Sequence, residues 1–472
     1  MSMRWLLTVP LAAVISVAGC DAPEAQFVAS KALRSVVPQA RKPVRAMLAD
    51  KFGTPNHLVA WERFPVRYGG LPGKVAGSSD AANRFQVAWA GQIGSLTAPA
   101  ELFWVSGSYE GKSLTVASYD TATRTVTLQQ QLEQPPGVGD EFIVNPGEIL
   151  KKGHQAFMKN CMHCHGVSGD GNGPTAKYLN PLPRDYRLGI FKFTTTLQTD
   201  KICRDDLRRT IKNGIPGTYM PSFMLLEDDK VDALVEYVRW LAMRGEYEHG
   251  MILEIQGPGY TTTAVRQRIA DGAKQEDGET EADVNKEIAE FLTDEFPETV
   301  DGDGGVADRI AAAWTKAEQP SSRVVPNIPR TPDTPESRAR GRSLFVSRKA
   351  KCTNCHGPQG LGNGPQSEEY ETLPGSKKKY PDPGLHNDWG HVTPPRNLTR
   401  GIYRGGRRPY DIYCRVYAGI KGTKMPAFGG TVLKDSEIWD LVNYVLSIPY
   451  ASSGSPEMPK TKDVASNNGR RQ

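Results

Sequence analysis

The sequence contains one pattern twice, and this repeat constrains the fold more than any other feature. The first copy is KNCMHCHGVSGDGNGP at residues 159–174, and the second is AKCTNCHGPQGLGNGP at residues 350–365. Each copy reads C-x-x-C-H-G and continues into a glycine-rich loop that ends in Asn-Gly-Pro. Because the chain is rich in glycine and proline, we expect loops and turns between short helices.

The repeat extends well beyond these two stretches. Upstream, both copies carry G-x-x-x-F on a predicted helix; downstream, two further stretches recur and an amphipathic helix closes each copy. The matched parts are Gly153 and Phe157 with Gly341 and Phe345, residues 182–192 with 394–404, residues 214–223 with 419–428, and the closing helices near Leu234, Val235, Val238 and Leu241 and near Ile438, Leu441, Val442 and Val445. The sequence therefore predicts a duplicated module of roughly a hundred residues, an ordinary domain size.

The rest of the chain divides around the two modules, and the predicted fold class is mainly α with a small β-rich N-terminal domain. Residues 56–146 predict that domain, because β-branched and aromatic stretches alternate there with turn residues. The complete expected order is a signal peptide at 1–20, a tether at 21–55, the β-rich domain at 56–146, the first module at 147–248, an acidic and partly helical connector at 249–335, the second module at 336–450 and a disordered tail at 451–472.

The N-terminus predicts export. Arg4 precedes an apolar run over residues 5–17, which is too short for a stable membrane span, and small residues lead to Cys20. This arrangement resembles the bacterial lipobox, in which the chain is cut before the cysteine and that cysteine carries the lipids. We therefore expect a lipid anchor at Cys20; an ordinary signal peptide with an incidental cysteine is the alternative.

The seven cysteines separate by context. Four form the two C-x-x-C pairs and one is Cys20, which leaves Cys203 and Cys414. In an exported protein these two could oxidise to a disulfide, and the sequence does not decide whether they meet.

The C-x-x-C-H signature predicts covalent attachment of c-type haem in both modules. Two cysteine sulfurs add to the porphyrin vinyl groups, at Cys161 and Cys164 in the first module, and the histidine that follows is held beneath the ring. His165 is therefore the expected iron ligand, whereas His163 lies between the cysteines and points elsewhere. The second module repeats this set as Cys352, Cys355 and His356. A zinc site would need a second Cys or His pair nearby, and neither copy offers one. A redox dithiol would not need the histidine that follows the second cysteine in both copies. Both alternatives are therefore weaker than haem.

A second axial ligand is predicted from the downstream repeat. Gly-x-x-Met-Pro occurs once after each haem motif, ahead of the closing helix, and places Met220 and Met425 in the same context. A lone methionine is more often a core residue, but this one recurs with the motif. A thioether ligand raises the haem potential and closes the iron to small molecules, as suits electron transfer.

These motifs resemble the class I cytochromes c, in a bacterial arrangement of two fused mono-haem domains. The resemblance covers residues 147–248 and 336–450. It implies that the first and last helices of each module cross, with Gly153 against Tyr237 and Gly341 against Tyr444. It also implies single-electron transfer between protein partners without a substrate pocket. Residues 56–146 and the connector have no counterpart in the resemblance. The stretch at 386–399 lengthens the second module, and the resemblance does not explain this insertion.

Three functions follow as hypotheses. The first is an electron carrier with two c-type haems, which accepts electrons from a quinol-oxidising complex or a dehydrogenase and delivers them to a terminal oxidase or reductase. The second is a di-haem enzyme, either peroxidase-like or thiosulfate-oxidising; Cys203 would be a candidate thiolate ligand, and His386 or His391 could compete with Met425. The third is a haem-bearing subunit fixed in a membrane complex.

The charge of the chain constrains its partners less than the motifs constrain its cofactor. The formal net charge of +5 is small for 472 residues and predicts no nucleic-acid partner. The second module is rich in cations that could steer an acidic protein partner. These cations are Lys349, Lys351, Lys377, Lys378, Lys379, Arg404, Arg407, Arg408, Lys421 and Lys424.

Overall fold

The structure is a computed structural model that describes residues 25–79, 81–90, 96–275 and 278–451. The predicted signal peptide, with Cys20, lies outside the described residues, as does the expected tail from residue 452 onward. Within the described ranges, no helix combines the length and apolar composition needed to cross a membrane.

Helices and strands alternate in blocks along the chain. The helices are α1 Pro38–Phe52, α2 Glu148–Asn160, α3 Met162–His165, α4 Arg204–Asn213, α5 Asp228–Gln256, α6 Thr262–Gly272, α7 Glu281–Glu290, α8 Phe296–Asp301, α9 Val306–Lys316, α10 Pro335–Phe345, α11 Thr353–His356, α12 Pro409–Ala418 and α13 Asp435–Ser447. The strands are β1 Leu71–Ser78, β2 Arg84–Trp89, β3 Ala100–Trp104, β4 Ser113–Asp120, β5 Thr125–Leu128 and β6 Glu141–Val144. Helices hold 41% of the chain, so the expected mainly α class is only partly right.

The β-rich domain is a closed antiparallel barrel with the strand order β1-β2-β5-β4-β3-β6. Alternate side chains point inward, and the rings of Phe85, Trp104 and Phe142 fill the centre with centroids 5.5–5.9 Å apart. The domain is smaller than the expected 56–146, because Phe64 and Tyr68 pack into the core of the first module instead. Tyr68 O accepts a hydrogen bond from Ile149 N at 2.9 Å, so the two ends of the barrel segment meet at the first module.

In both modules the first and last helices cross closely, at a glycine. A Cβ at Gly153 on α2 would lie 2.1 Å from the Ala233 carbonyl oxygen on α5 and 2.8 Å from Tyr237 Cβ. A Cβ at Gly341 on α10 would lie 2.1 Å from the Asp440 carbonyl oxygen of α13. The second crossing has Tyr444 in the place of Tyr237, with its Cβ 2.7 Å from the same position. The predicted contacts at the two crossings are thus confirmed.

The described part of the expected tether, residues 25–55, is a buried part of the first module. Val44, Leu48 and Phe52 of α1 are buried, and the Phe52 ring lies 5.5 Å from that of Trp240 on α5. The tether prediction was wrong because Pro43 and the basic residues around it are typical of a linker, although the apolar residues between them have helical spacing. Burial of this apolar face stabilises the fold by about 25 cal/mol for each Å² removed from water.

The connector is also folded onto the first module. Helix α5 runs on to Gln256, past the expected end of the module. Helices α8 and α9 pack against α5, and buried residues of α6 and α7 join the same core. Trp314 of α9 is fully buried and donates its Nε1 hydrogen to Glu246 Oε1 at 2.7 Å. Val284 and Ile288 are buried on α7, in agreement with the partly helical connector that the sequence predicts. One core therefore joins α1, the first module and the connector helices.

The two modules meet along residues 194–200 of the first. Leu197 N donates to Ser322 O and Val324 N donates to Thr195 O, both at 2.8 Å. Val324 belongs to the core of the second module, where its carbonyl accepts from the Tyr410 hydroxyl at 2.6 Å. These backbone bonds attach the second module to the first through the end of the connector.

Substitution of Gly153 by alanine tests the helix crossing. We expect Gly153→Ala to lower the free energy of unfolding by at least about 2 kcal/mol, because the new methyl group would overlap the Ala233 carbonyl. Urea unfolding followed by far-ultraviolet circular dichroism measures this loss.

The matched control is Gly257→Ala at the end of α5, where the nearest atom to a new Cβ lies 3.6 Å away. We expect that variant to be unchanged or stabilised by about 0.5 kcal/mol. Equal effects of the two substitutions would contradict the close crossing.

Candidate haem sites

In each module a single helical turn presents the C-x-x-C-H residues. Helix α3 follows α2 directly, and His165 N donates to Cys161 O at 2.9 Å. In the second module His356 N donates to Cys352 O at the same distance. Because the turn places each histidine one residue beyond its second cysteine, both sulfurs and the imidazole stay within one short segment.

A backbone carbonyl orients each of these histidines. His165 Nδ1 lies 3.2 Å from Arg184 O, and His356 Nδ1 lies 3.1 Å from Arg396 O. With the proton on Nδ1, the nitrogen Nε2 is left as an unprotonated ligand atom. Burial lowers the pKa of His165 to about 4 and also lowers the pKa of His356, so both rings are neutral at pH 7.

The first module contains a cavity of about 270 Å³. Cys161, Cys164, His165 and Met220 all line it, and most of its other walls are apolar. Two sulfur atoms for covalent attachment, an imidazole and a thioether in one apolar cavity are the donor set that a c-type haem requires. These residues therefore fit the group that the sequence predicts.

The two methionines lie in loops with the same hydrogen bonds. Met220 N donates to Thr218 Oγ1 at 3.2 Å, and that hydroxyl donates to Ile215 O at 2.8 Å. Met425 has the equivalent bonds to Thr423 and Ile420, at 3.3 and 2.7 Å.

Both methionine loops begin at a glycine. Gly214 has φ +65°, and a Cβ there would lie 2.7 Å from Met220 O. Gly419 has φ +72° and stands at the same distance from Met425 O. Only glycine fits such a position, so the repeated Gly-x-x-Gly-x-x-Met-Pro stretch specifies one loop shape in both modules.

The cysteines are not poised as a redox dithiol. Burial raises the pKa of Cys161 and of Cys352 to about 12, and the pKa of Cys355 is raised as well, by burial and then by Glu369 and Glu371. Redox dithiols have a thiol whose pKa is lowered toward neutrality. The opposite shift, for which burial is the first cause at all three thiols, argues against a redox dithiol in either module.

The other histidines and cysteines considered in the sequence as iron ligands or as a disulfide have different partners or positions. His163 is exposed at the cavity edge. Cys203 and Cys414 are free, buried thiols, and Cys203 Sγ contacts Arg323; Cys203 is absent from the described residues that line the cavity. His386 is buried, stacked on Tyr380 at 3.7 Å, with Nδ1 3.3 Å from Glu371 Oε2.

Several residues of the first site are not among those that the sequence predicts. Tyr186 stacks on His165 with centroids 4.8 Å apart, whereas Leu398 occupies the matching place in the second module. The Arg184 guanidinium lies 3.8 Å from the centre of the Trp389 ring, and Arg404 lines the cavity although it belongs to the second module. The difference between Tyr186 and Leu398 is visible in the sequences of the two repeats, whereas the contacts between modules leave no signal in the sequence.

Comparison with known proteins agrees with the repeat. Residues 150–242 and 338–449 each match the family model described as cytochrome c. No curated protein matches the chain. A solved chain of the reducing HAO-like protein complex Kustc0457/Kustc0458 from Kuenenia stuttgartiensis is 23% identical; the match covers 63% of this chain and 96% of that chain, with a TM-score of 0.42. The two cytochrome c regions imply c-type haem and support haem-based electron transfer.

The hydroxyl beneath each methionine loop gives a test that does not depend on cofactor loading. We expect Thr218→Val to speed exchange of the Met220 amide proton about fivefold, because the substitution removes the acceptor of a hydrogen bond worth about 1 kcal/mol. Hydrogen exchange measured by nuclear magnetic resonance follows this proton directly.

Thr218→Ser keeps the hydroxyl and should retain the protection of that amide. An equal loss of protection in the serine variant would show that the methyl group of Thr218, and not its hydroxyl, holds the loop.

Proposed function

We propose that this protein is a di-haem c-type cytochrome that passes single electrons between redox proteins outside the cytoplasmic membrane. The observation that carries the proposal is the cavity of the first module, which joins Cys161, Cys164, His165 and Met220 in one apolar space. The second module repeats the same turn, the same histidine-to-carbonyl contact and the same methionine loop.

Each residue of the proposed site has a defined task. Cys161 and Cys164, and likewise Cys352 and Cys355, would form the thioether bonds. His165 and His356 would bind iron through Nε2, because Nδ1 is turned toward the backbone carbonyl of Arg184 or Arg396. That hydrogen bond also raises the basicity of the ligand nitrogen. A haem held there supplies a ferric/ferrous couple for one electron.

The methionines favour an electron carrier over an enzyme. Met220 and Met425 would be the sixth ligands, held by loops whose hydrogen bonds and glycines leave little freedom. An iron with two protein ligands has no position for peroxide or thiosulfate. The apolar walls around His165 also exclude water, which lowers the reorganisation that accompanies a one-electron change.

A negatively charged redox protein is the proposed partner. Several of the ten cations named for the second module are already paired within the protein, so fewer of them are available to such a partner. Lys349 pairs with Glu437 at 2.6 Å, Arg408 with Asp411 at 2.8 Å, and the Lys421 ammonium donates to Thr196 Oγ1 at 2.8 Å. Lys424 also pairs, with Glu371 at 3.4 Å. The remaining cations of the set that are exposed and have no carboxylate partner within the described residues are Lys351, Lys377, Lys378, Lys379 and Arg407. This exposed set would steer an acidic partner toward the second module. The lipid anchor proposed at Cys20 would confine the encounter to the membrane surface.

An absorption spectrum of the purified protein, oxidised and reduced and extended into the near infrared, tests the proposed function. We expect two c-type haems per chain and the band of methionine sulfur bound to ferric iron. A high-spin spectrum, or the absence of the sulfur band for one haem, would instead favour a di-haem enzyme. Peroxide and thiosulfate would then be the substrates to assay. Stable co-purification with a membrane complex would favour a fixed subunit.

Substitution of Met220 tests the assignment of the sixth ligand. We expect Met220→Ala to let carbon monoxide bind the ferrous protein at one haem per chain, because the iron of the first site loses its sulfur ligand. Absorption difference spectra measure the binding.

Met224→Ala is the matched control, since Met224 lies four residues further along the chain and is 67% exposed. It should behave like the wild type. Carbon monoxide binding that is the same in Met220→Ala as in the wild type would refute the assignment. Met425→Ala should open the second site in the same way.

A further inference from the structure

The charged residues of the first cavity are all cations. Arg184, Lys192 and Arg404 line it, and no carboxylate occurs among the described residues of its wall. Arg184 and Lys192 belong to the first module, whereas Arg404 comes from the second. In the repeat Arg404 is the counterpart of Lys192, so the two matching positions of the two modules face the same cavity.

Arg404 is placed for a partner that the protein itself does not supply. Its Nη2 donates to Gly217 O at a long 3.4 Å. Its Nε is buried and has no hydrogen-bond partner within the described part of the chain. Burial lowers the pKa of Arg404, and burial together with Arg184 and Arg404 lowers the pKa of Lys192 to about 7. Asp388 and Asp185 lie near Arg184, but the charges that act on Lys192 and Arg404 are other cations. Two desolvated cations of this kind are costly unless an anion accompanies them.

The occupant of this cavity must therefore be largely apolar and carry negative charge on one side. A porphyrin bound through its vinyl groups has this composition, since it retains two carboxylates. We infer that Arg404 of the second module joins Lys192 and Arg184 in binding the carboxylates of the first haem, so that the second module completes the haem site of the first. This inference rests on the proposed function.

The insertion at 386–399 contacts Arg184, one of the residues of this wall. The Trp389 ring lies against the Arg184 guanidinium at 3.8 Å, and Arg184 O accepts the hydrogen bond from His165 Nδ1. Trp389 in turn packs at Gly422, where a Cβ would lie 2.8 Å from the ring. The second module thus holds, through Trp389, the residue that orients the axial histidine of the first.

The reduction potential of the first haem is the property that this arrangement controls. Cations beside the carboxylates oppose the extra positive charge of ferric iron and so favour the ferrous state. We expect Arg404→Gln to shift the one-electron equilibrium of the first haem about tenfold toward the ferric form, which corresponds to about 59 mV. Spectroelectrochemical titration of the full-length protein with both haems measures this shift.

The variants are chosen to separate charge from packing. Arg404→Lys keeps the charge and should retain most of the wild-type reduction potential of the first haem. Arg400→Gln removes an exposed cation in the same module and should leave the potentials of both haems unchanged. Lys192→Gln, which removes the cation on the side of the first module, should move the same step in the same direction. It also provides the test if Arg404→Gln does not fold. Met220→Ala identifies which step belongs to the first haem.

The inference is overturned if neither Arg404→Gln nor Lys192→Gln moves the step of the first haem more than Arg400→Gln does. Equal shifts of both haems would also refute it, because they would reflect the overall charge of the protein. A protein that lacks a haem in the first module would refute the proposed function instead, and the haem content per chain reveals that case before any titration.

Discussion

The close crossing of the first and last helices is the constraint on which both modules depend. At Gly153 and at Gly341 the two helices approach until a single added carbon would strike a backbone carbonyl. Because α2 leads directly into the C-x-x-C-H turn, the crossing fixes the position of the turn that carries Cys161 and His165. The second helix of the pair follows the methionine loop. The crossing therefore brings together residues that lie far apart in the sequence.

The sequence predicted the parts of the fold that repeat. The C-x-x-C-H turns, the glycine crossings and the methionine loops all occur twice. Residues that are present in both copies can therefore be distinguished from residues that occur in only one. Gly214 and Gly419 are an example, since both have positive φ at the same place ahead of a methionine. A single copy would have shown Met220 only as one more apolar residue in a loop.

The parts that occur once could not be predicted in this way. Helix α1 carries Pro43 and several basic residues, which indicate a polar linker, yet Val44, Leu48 and Phe52 fall on one buried face. The connector is acidic on its exposed side, but Trp314 bonds to Glu246 of α5 and Val284 is buried in the same core. Both segments are stabilised by contacts with a helix far away in sequence, and a local pattern does not show what lies on the other side of such a contact.

The contacts between modules change what the duplication means. Two independent carriers would use matching residues in matching ways, but the structure uses them unequally. Tyr186 stacks on His165 where the second module has Leu398, and Lys192 and Arg404 face one cavity instead of two. The backbone of Arg184 orients His165 while its side chain contacts Trp389 of the other module. Charges interact strongly across a buried boundary, because little water is present to screen them. On the proposed function, the positive charge of Arg404 in the second module would therefore influence the affinity of the first site for an electron.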